Sequence, residues 1–171
     1  MRYSSKAKLT AKKIINLWGE TEILEMLKEY GEERFAKNIA NNIVKKRRED
    51  PIITTTQLVD IIKSSVPAWY RYKKIHPATK TFQALRIMVN DELENIKKVL
   101  PQALEILKPG GRLVVISFHS LEDRIVKRYF KEKSKENLLK ILTKKPIQSS
   151  RKEIINNPRS RSAKLRAITK I

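Results

Sequence analysis

No cysteine occurs in these 171 residues, which excludes a disulfide framework and any thiolate metal site. Histidine is almost as scarce: His76 and His119 are the whole supply, so no metal centre is expected. Glycine appears only four times, as Gly19, Gly31, Gly110 and Gly111. No apolar run approaches the ~20 residues of a membrane span, and the amino end does not have the pattern of a signal peptide. Acidic side chains are under-represented, 18 against 38 Lys and Arg, leaving a formal charge of +20. A hydrophobic content of 40% allows one real core, or one modest core with a helical appendage. A charge of that size is either a solvated basic surface or the footprint of a polyanion, because neutralising phosphates releases counterions. RNA, DNA and an anionic membrane face all fit the charge alone.

Patterning divides the chain near residue 75. Up to there it reads as short helices. Thr10 is a plausible N-cap for a helix with Ile14, Ile15, Leu17 and Trp18 that stops at Gly19. A second helix runs through Ile23, Leu24, Leu27 and Tyr30. A third, over 32–48, puts Phe35, Ile39 and Ile43 on one stripe and ends in four consecutive cations, Lys45, Lys46, Arg47 and Arg48. The threonines at 54–56 cap a fourth helix carrying Leu58, Val59 and Ile62. "VPAWYRYKKIHPATKTF" then reads as a loop alternating aromatic and basic residues. That mixture suits stacking on unpaired bases while holding phosphates, but Trp69 and Tyr70 packing on the core would produce it too.

From Thr79 a long helix is predicted, with an apolar stripe from Phe82 to Leu107 that Pro101 interrupts. Gln83, Arg86 and Asn90 share another of its faces and are good donors. "KPGG" ends it, with Gly110 or Gly111 suited to the left-handed C′ position. "RLVVIS" is apolar at successive positions, the mark of a strand covered on both faces, as parallel strands are. Its carboxyl end holds Ser117, Phe118, His119 and Ser120, where α/β folds keep their sites. Ser120 with Asp123 resembles a capping box for the next helix, on which Arg124, Lys127, Arg128 and Lys131 form a basic stripe. Two weaker strands are expected in "LKILTKKPI" and "KLRAITKI", joined by the arginine- and serine-rich loop "NNPRSRSAKLR". The fold class is therefore α/β.

"HPATKTFQALRIMVNDELE", "LKPGGRLVVISFHSLEDRIVKRYF", "LTKKPI" and "NPRSRSAKLRAI", in this order and spacing, resemble the MraW/RsmH family of ribosomal RNA small-subunit methyltransferases. "LTAKKIINLW" and "EYGEERFAKNIANNIV" extend the resemblance to almost the whole chain. It implies a cytoplasmic, S-adenosylmethionine-dependent enzyme that methylates N4 of a cytidine in the decoding region of 16S rRNA. It also implies a helical substrate-recognition domain over 1–75. Residues 76–171 would be the carboxyl-terminal part of a class I Rossmann-like domain, contributing about three strands. Family members begin with further strands, a glycine-rich loop and an acidic residue for the cofactor ribose, and nothing in this sequence matches them. The chain is thus expected to be a carboxyl-terminal portion that is inactive alone, with S-adenosylmethionine bound mainly by an amino-terminal half. A separate amino-terminal chain, or a homodimer through the exposed sheet edge, is the expected protein partner. A stand-alone basic RNA-binding module, or a partner-binding fragment, is the alternative. From their place at the carboxyl end of the strand, His119 and Ser120 are expected to line the catalytic site of the intact enzyme. Arg86, Asn90, Lys45, Lys46, Arg47, Arg48, Arg124, Arg159 and Arg161 are the expected RNA contacts.

Overall fold

The computed structural model describes residues 1–4 and 8–171, which form two compact units, Met1–Glu92 and Leu93–Ile171. The first is helical: α1 (Ala11–Leu17), α2 (Glu20–Glu29), α3 (Ala36–Glu49), α4 (Thr55–Ser64), the single turn α5 (Ala68–Arg71) and α6 (Thr79–Asn90). Its core is aliphatic, with Ile14, Ile23, Leu27, Ile39, Ile43, Ile62 and Leu85 almost fully buried. Caps set the boundaries. The Thr10 hydroxyl accepts the Lys13 N–H, and Thr54 forms a reciprocal box with Gln57. Helix α3 starts four residues later than its periodicity predicts. Glu32 sits in the left-handed region (φ 46°) and the Glu33 carboxylate accepts the Phe35 N–H, so the chain turns there. Gly31 is needed where α2 meets α6, since a Cβ there would lie 2.7 Å from the Leu27 oxygen and 3.0 Å from that of Lys80.

The compact units divide at 92/93, because Ala84, Leu85 and Val89 of α6, with Ala78 just before it, join the helical core. The long helix predicted from Thr79 is two helices, and the break is at Asp91, not Pro101. Asp91 adopts φ 52°, while the Asn90 carboxamide donates to the Arg86 carbonyl within its own helix. Asp is among the few residues that enter the left-handed region at low cost. Pro101 lies within α7 (Glu92–Ile106). The continuous apolar stripe serves two cores: Phe82, Leu85 and Val89 belong to the first unit, Ile96, Leu100, Leu104 and Leu107 to the second.

In the second unit, β1 (Arg112–Ser117), α8 (Ser120–Lys135), β2 (Leu139–Ile141), β3 (Ile147–Gln148), α9 (Arg151–Asn156), a 3₁₀ segment (Pro158–Ser162) and β4 (Lys164–Lys170) follow α7. Strand β4 is central, pairing antiparallel with β1, β2 and β3. The mixed α/β class holds, although "LKILTKKPI" supplies two short strands instead of one. Gly110 takes the left-handed turn (φ 78°), and its N–H donates to the Lys170 carbonyl, tying the turn to the end of β4. Strand β1, whose apolar run calls for cover on both faces, pairs antiparallel rather than parallel and has one face covered among the described residues. Leu113 and Val115 pack inward with Val126, Phe130 and Ile168, whereas Val114, Ile116 and the following Phe118 are about half exposed. Each β1 residue pairs only with β4, so the opposite edge of β1 has no neighbour among the described residues.

Candidate functional site

At the carboxyl end of β1 the chain turns directly into α8, and the cap is His119, one residue before the predicted Ser120. His119 Nδ1 accepts the Glu122 N–H, while Glu122 Oε2 accepts the N–H groups of Phe118 (2.8 Å) and His119 (3.3 Å). Acting as acceptor at Nδ1 leaves the neutral ring's proton on Nε2, which lies 3.2 Å from Glu122 Oε1 without the alignment of a hydrogen bond. Burial pushes the Glu122 carboxyl up, but the His119 ring and the Phe118 N–H outweigh it and hold the group below its ordinary value. Ser120 is exposed at the first helical position. Because the box is formed by His119 and Glu122, Asp123 is left to face the sheet. Its carboxylate receives two bonds from Arg166, at 2.6 and 3.1 Å, with both side chains nearly buried, and Lys164 Nζ lies 3.7 Å away. The Arg166 hydrogen bonds lower the Asp123 pKa despite burial. Periodicity gives no sign of this pair, since an acid three residues after Ser120 reads as a capping-box partner.

Around that end the predicted cations fall into place unevenly. Arg124, Lys127, Arg128 and Lys131 are all exposed along α8, as the spacing predicts. Arg159 and Arg161 are exposed on the 3₁₀ segment, which is held by the buried Ser160 donating to the Asn157 carbonyl and accepting, at its own carbonyl, from Ser149. In the helical unit Lys45 and Arg48 are exposed, and Lys46 pairs with Glu49 at 2.9 Å. Arg47 differs: its guanidinium donates to the carbonyls of Ile15 and Trp18, closing the end of α1. Desolvation, reinforced by Arg48, lowers its pKa.

The donors on α6 face this chain's own groups rather than solution. Gln83 donates to the Tyr30 carbonyl, and Arg86 makes a two-pronged bond to Glu92 at 2.9 and 3.0 Å. Asn90 bonds the Met1 carbonyl and accepts the Tyr3 N–H. A third constellation was legible only as a composition. Phe35, Trp69 and Tyr70 pack edge to face with centroids 4.9–5.9 Å apart. The Tyr70 hydroxyl donates to the buried Glu33 carboxylate at 3.0 Å, and burial first, then this bond, raises its pKa to about 12. Tyr70 is therefore a core residue, while Trp69 is half exposed and Tyr72 almost fully so.

Residues 1–171 match the model of a family described as the MraW methylase family. The ribosomal RNA small subunit methyltransferase H of Nostoc punctiforme is 53% identical over 171 residues, which is 100% of this chain and 55% of that protein. The protein of the same name from Heliobacterium mobile is 50% identical over 186 residues, covering 100% of this chain and 60% of the relative. A third, from Halothermothrix orenii, is 47% identical with the same two coverages. The chain thus spans little more than half the length of these curated relatives.

Proposed function

We propose, because the chain belongs to the MraW methylase family, that it is the RNA-handling portion of a small-subunit ribosomal RNA methyltransferase. The observation that carries this reading is identity near one half sustained over the entire chain with enzymes of that name. The target is N4 of a cytidine in the decoding region of 16S rRNA, with S-adenosylmethionine as methyl donor. Residues 1–75 act as the substrate-recognition part, and the sheet of the second unit forms the carboxyl-terminal part of a Rossmann-like domain. Lys45, Lys46, Arg48, Arg124, Arg159 and Arg161 hold phosphates, and His119 and Ser120 line the reacting end. Arg86 and Asn90 act as RNA contacts only by exchanging their present partners, and Arg47 contributes by fixing α1.

The described residues do not fit the cofactor. Gly19 caps α2, Gly31 sits between two helices, and Gly110 and Gly111 form the turn bonded to β4, so none makes a cradle behind a strand. The cofactor is therefore assigned mainly to an amino-terminal half of the family's fold. The open edge of β1 and the exposed Val114, Ile116 and Phe118 offer that half a place to pair; a second copy of this chain is the other occupant that fits. A cytosine amine is a weak nucleophile, so the contribution of this chain is to hold the nucleotide in line and exclude water. Calorimetry tests the division of labour. The chain alone should show no tight S-adenosylmethionine site, and adding the unmatched portion of a relative should create one. A saturable tight site on the chain alone would overturn it.

A further inference from the structure

The helical unit carries one exposed surface made almost wholly of donors. Asn38, Asn41, Lys45 and Arg48 are spaced 3, 4 and 3 residues apart on α3 and all are exposed, so they form a single stripe, with the exposed Arg34 in the turn just before the helix. From Asn38 to Arg48 it extends roughly 15 Å at ~1.5 Å per residue. Beside its amino-terminal end stands Trp69. Arg34 Cζ lies 5.6 Å from the Trp69 ring centroid and Lys73 Nζ 4.7 Å from it, so two cations already sit against the half-exposed indole. The platform is rigid from below: Glu33 accepts from both the Phe35 N–H and the Tyr70 hydroxyl, and these rings buttress Trp69 edge to face. Next to it, Asn38, Asn41 and Asn42 line a polar cleft with Ser64 and Ser65 at the end of α4. Asn42 donates to the Ser65 hydroxyl, and Asn41 donates to Glu20 at 3.3 Å.

We propose that this surface binds a short unpaired stretch of RNA, with one base stacked on Trp69, its neighbours' edges read by the carboxamides of α3, and phosphates taken by Arg34, Lys45 and Lys73. The choice of RNA rests on the rRNA reading given above; the choice of a single strand rests on the indole. A duplex hides its base faces and offers phosphates alone, and a half-exposed indole would then add nothing, whereas an unpaired base can stack on it. Carboxamides, which both donate and accept, match the mixed edges of bases better than they match phosphate. Charge complementarity supplies the rest.

The test uses the full chain carrying Trp18→Phe, which leaves Trp69 as the single tryptophan. Titration with an unstructured pyrimidine RNA of about ten nucleotides should quench its emission saturably. Trp69→Ala should weaken binding on the order of tenfold, and Trp69→Phe should recover most of the loss. Asn38→Ala with Asn41→Ala should lower affinity at unchanged salt slope, since no charge is removed. Circular dichroism of each variant excludes misfolding as the cause. Equal affinity of wild type and Trp69→Ala would overturn the proposal, as would equally tight binding of a duplex of the same length. So would an emission shift with anionic phospholipid vesicles and none with RNA. Quenching retained in a chain that never supports methyl transfer would overturn the functional reading and leave this site standing. Methyl transfer that survives Trp69→Ala at the wild-type rate, with RNA affinity unchanged, would do the reverse.

Discussion

At the scale of single residues, two buried polar contacts carry stability that the sequence did not announce. Removing one partner of a nearly buried ion pair leaves the other uncompensated, so Asp123→Ala should cost about 3 kcal/mol in urea unfolding. The same pair predicts a pH dependence. The Asp123 pKa is depressed in the folded chain, so its contribution is present above the ordinary carboxylate value and is lost as pH falls through the folded one. Asp123→Asn should flatten the acid limb of the stability profile. Tyr70 works in the opposite direction. With its folded pKa near 12 against an unfolded value near ~10, the stability it adds is complete below that unfolded value and fades as pH rises toward 12. Tyr70→Phe should remove this alkaline component and cost about 1–3 kcal/mol by leaving the buried Glu33 carboxylate with the Phe35 N–H but without its hydroxyl donor. His119 joins two roles: as a helix cap its replacement by Ala should cost about 1 kcal/mol. A fall in turnover well beyond that loss, in an enzyme completed by the family's amino-terminal half, would mark it as lining the reaction.

At the scale of elements, legibility followed local rules and failed where distant groups intervened. Caps at Thr10 and Thr54, the stripe Ile39–Ile43 and the glycine turn were all readable because capping and periodicity act within a few residues. The break at Asp91 was not, because Phe82 to Leu107 keeps one unbroken rhythm and only the assignment of its halves to different cores requires the turn. Strand β1 is legible in part: an unbroken apolar run specifies two faces to cover, and the described residues cover one, leaving the open face and edge that so few strands imply. Of the site, the α8 stripe was legible and the inward turn of Arg47, Arg86 and Asn90 was not, since periodicity locates a side chain but not its partner. The αL position offers a direct check. Asp91→Gly should be neutral or stabilising, while Asp91→Ala should cost about 1 kcal/mol in thermal unfolding.

At the scale of the whole molecule, charge and the open edge of β1 act together. With a net charge of +20, binding to small-subunit RNA should fall steeply with salt, and replacing Lys45 and Arg48 by Gln should flatten that slope by roughly two units of counterion release. Arg47→Gln should instead lower the melting temperature, because its charge is used inside the helical unit. Among the described residues no helix is long and apolar enough to cross a membrane. The proposal that these 171 residues are the RNA-handling portion of a methyltransferase is measured most directly by transfer of a labelled methyl group. Small-subunit RNA would be incubated with labelled S-adenosylmethionine and this chain, with and without the portion of a relative that the chain does not match. Label entering a cytidine only when both polypeptides are present is the predicted result. Transfer by this chain alone, or transfer by the other portion at the same rate without it, would contradict the account.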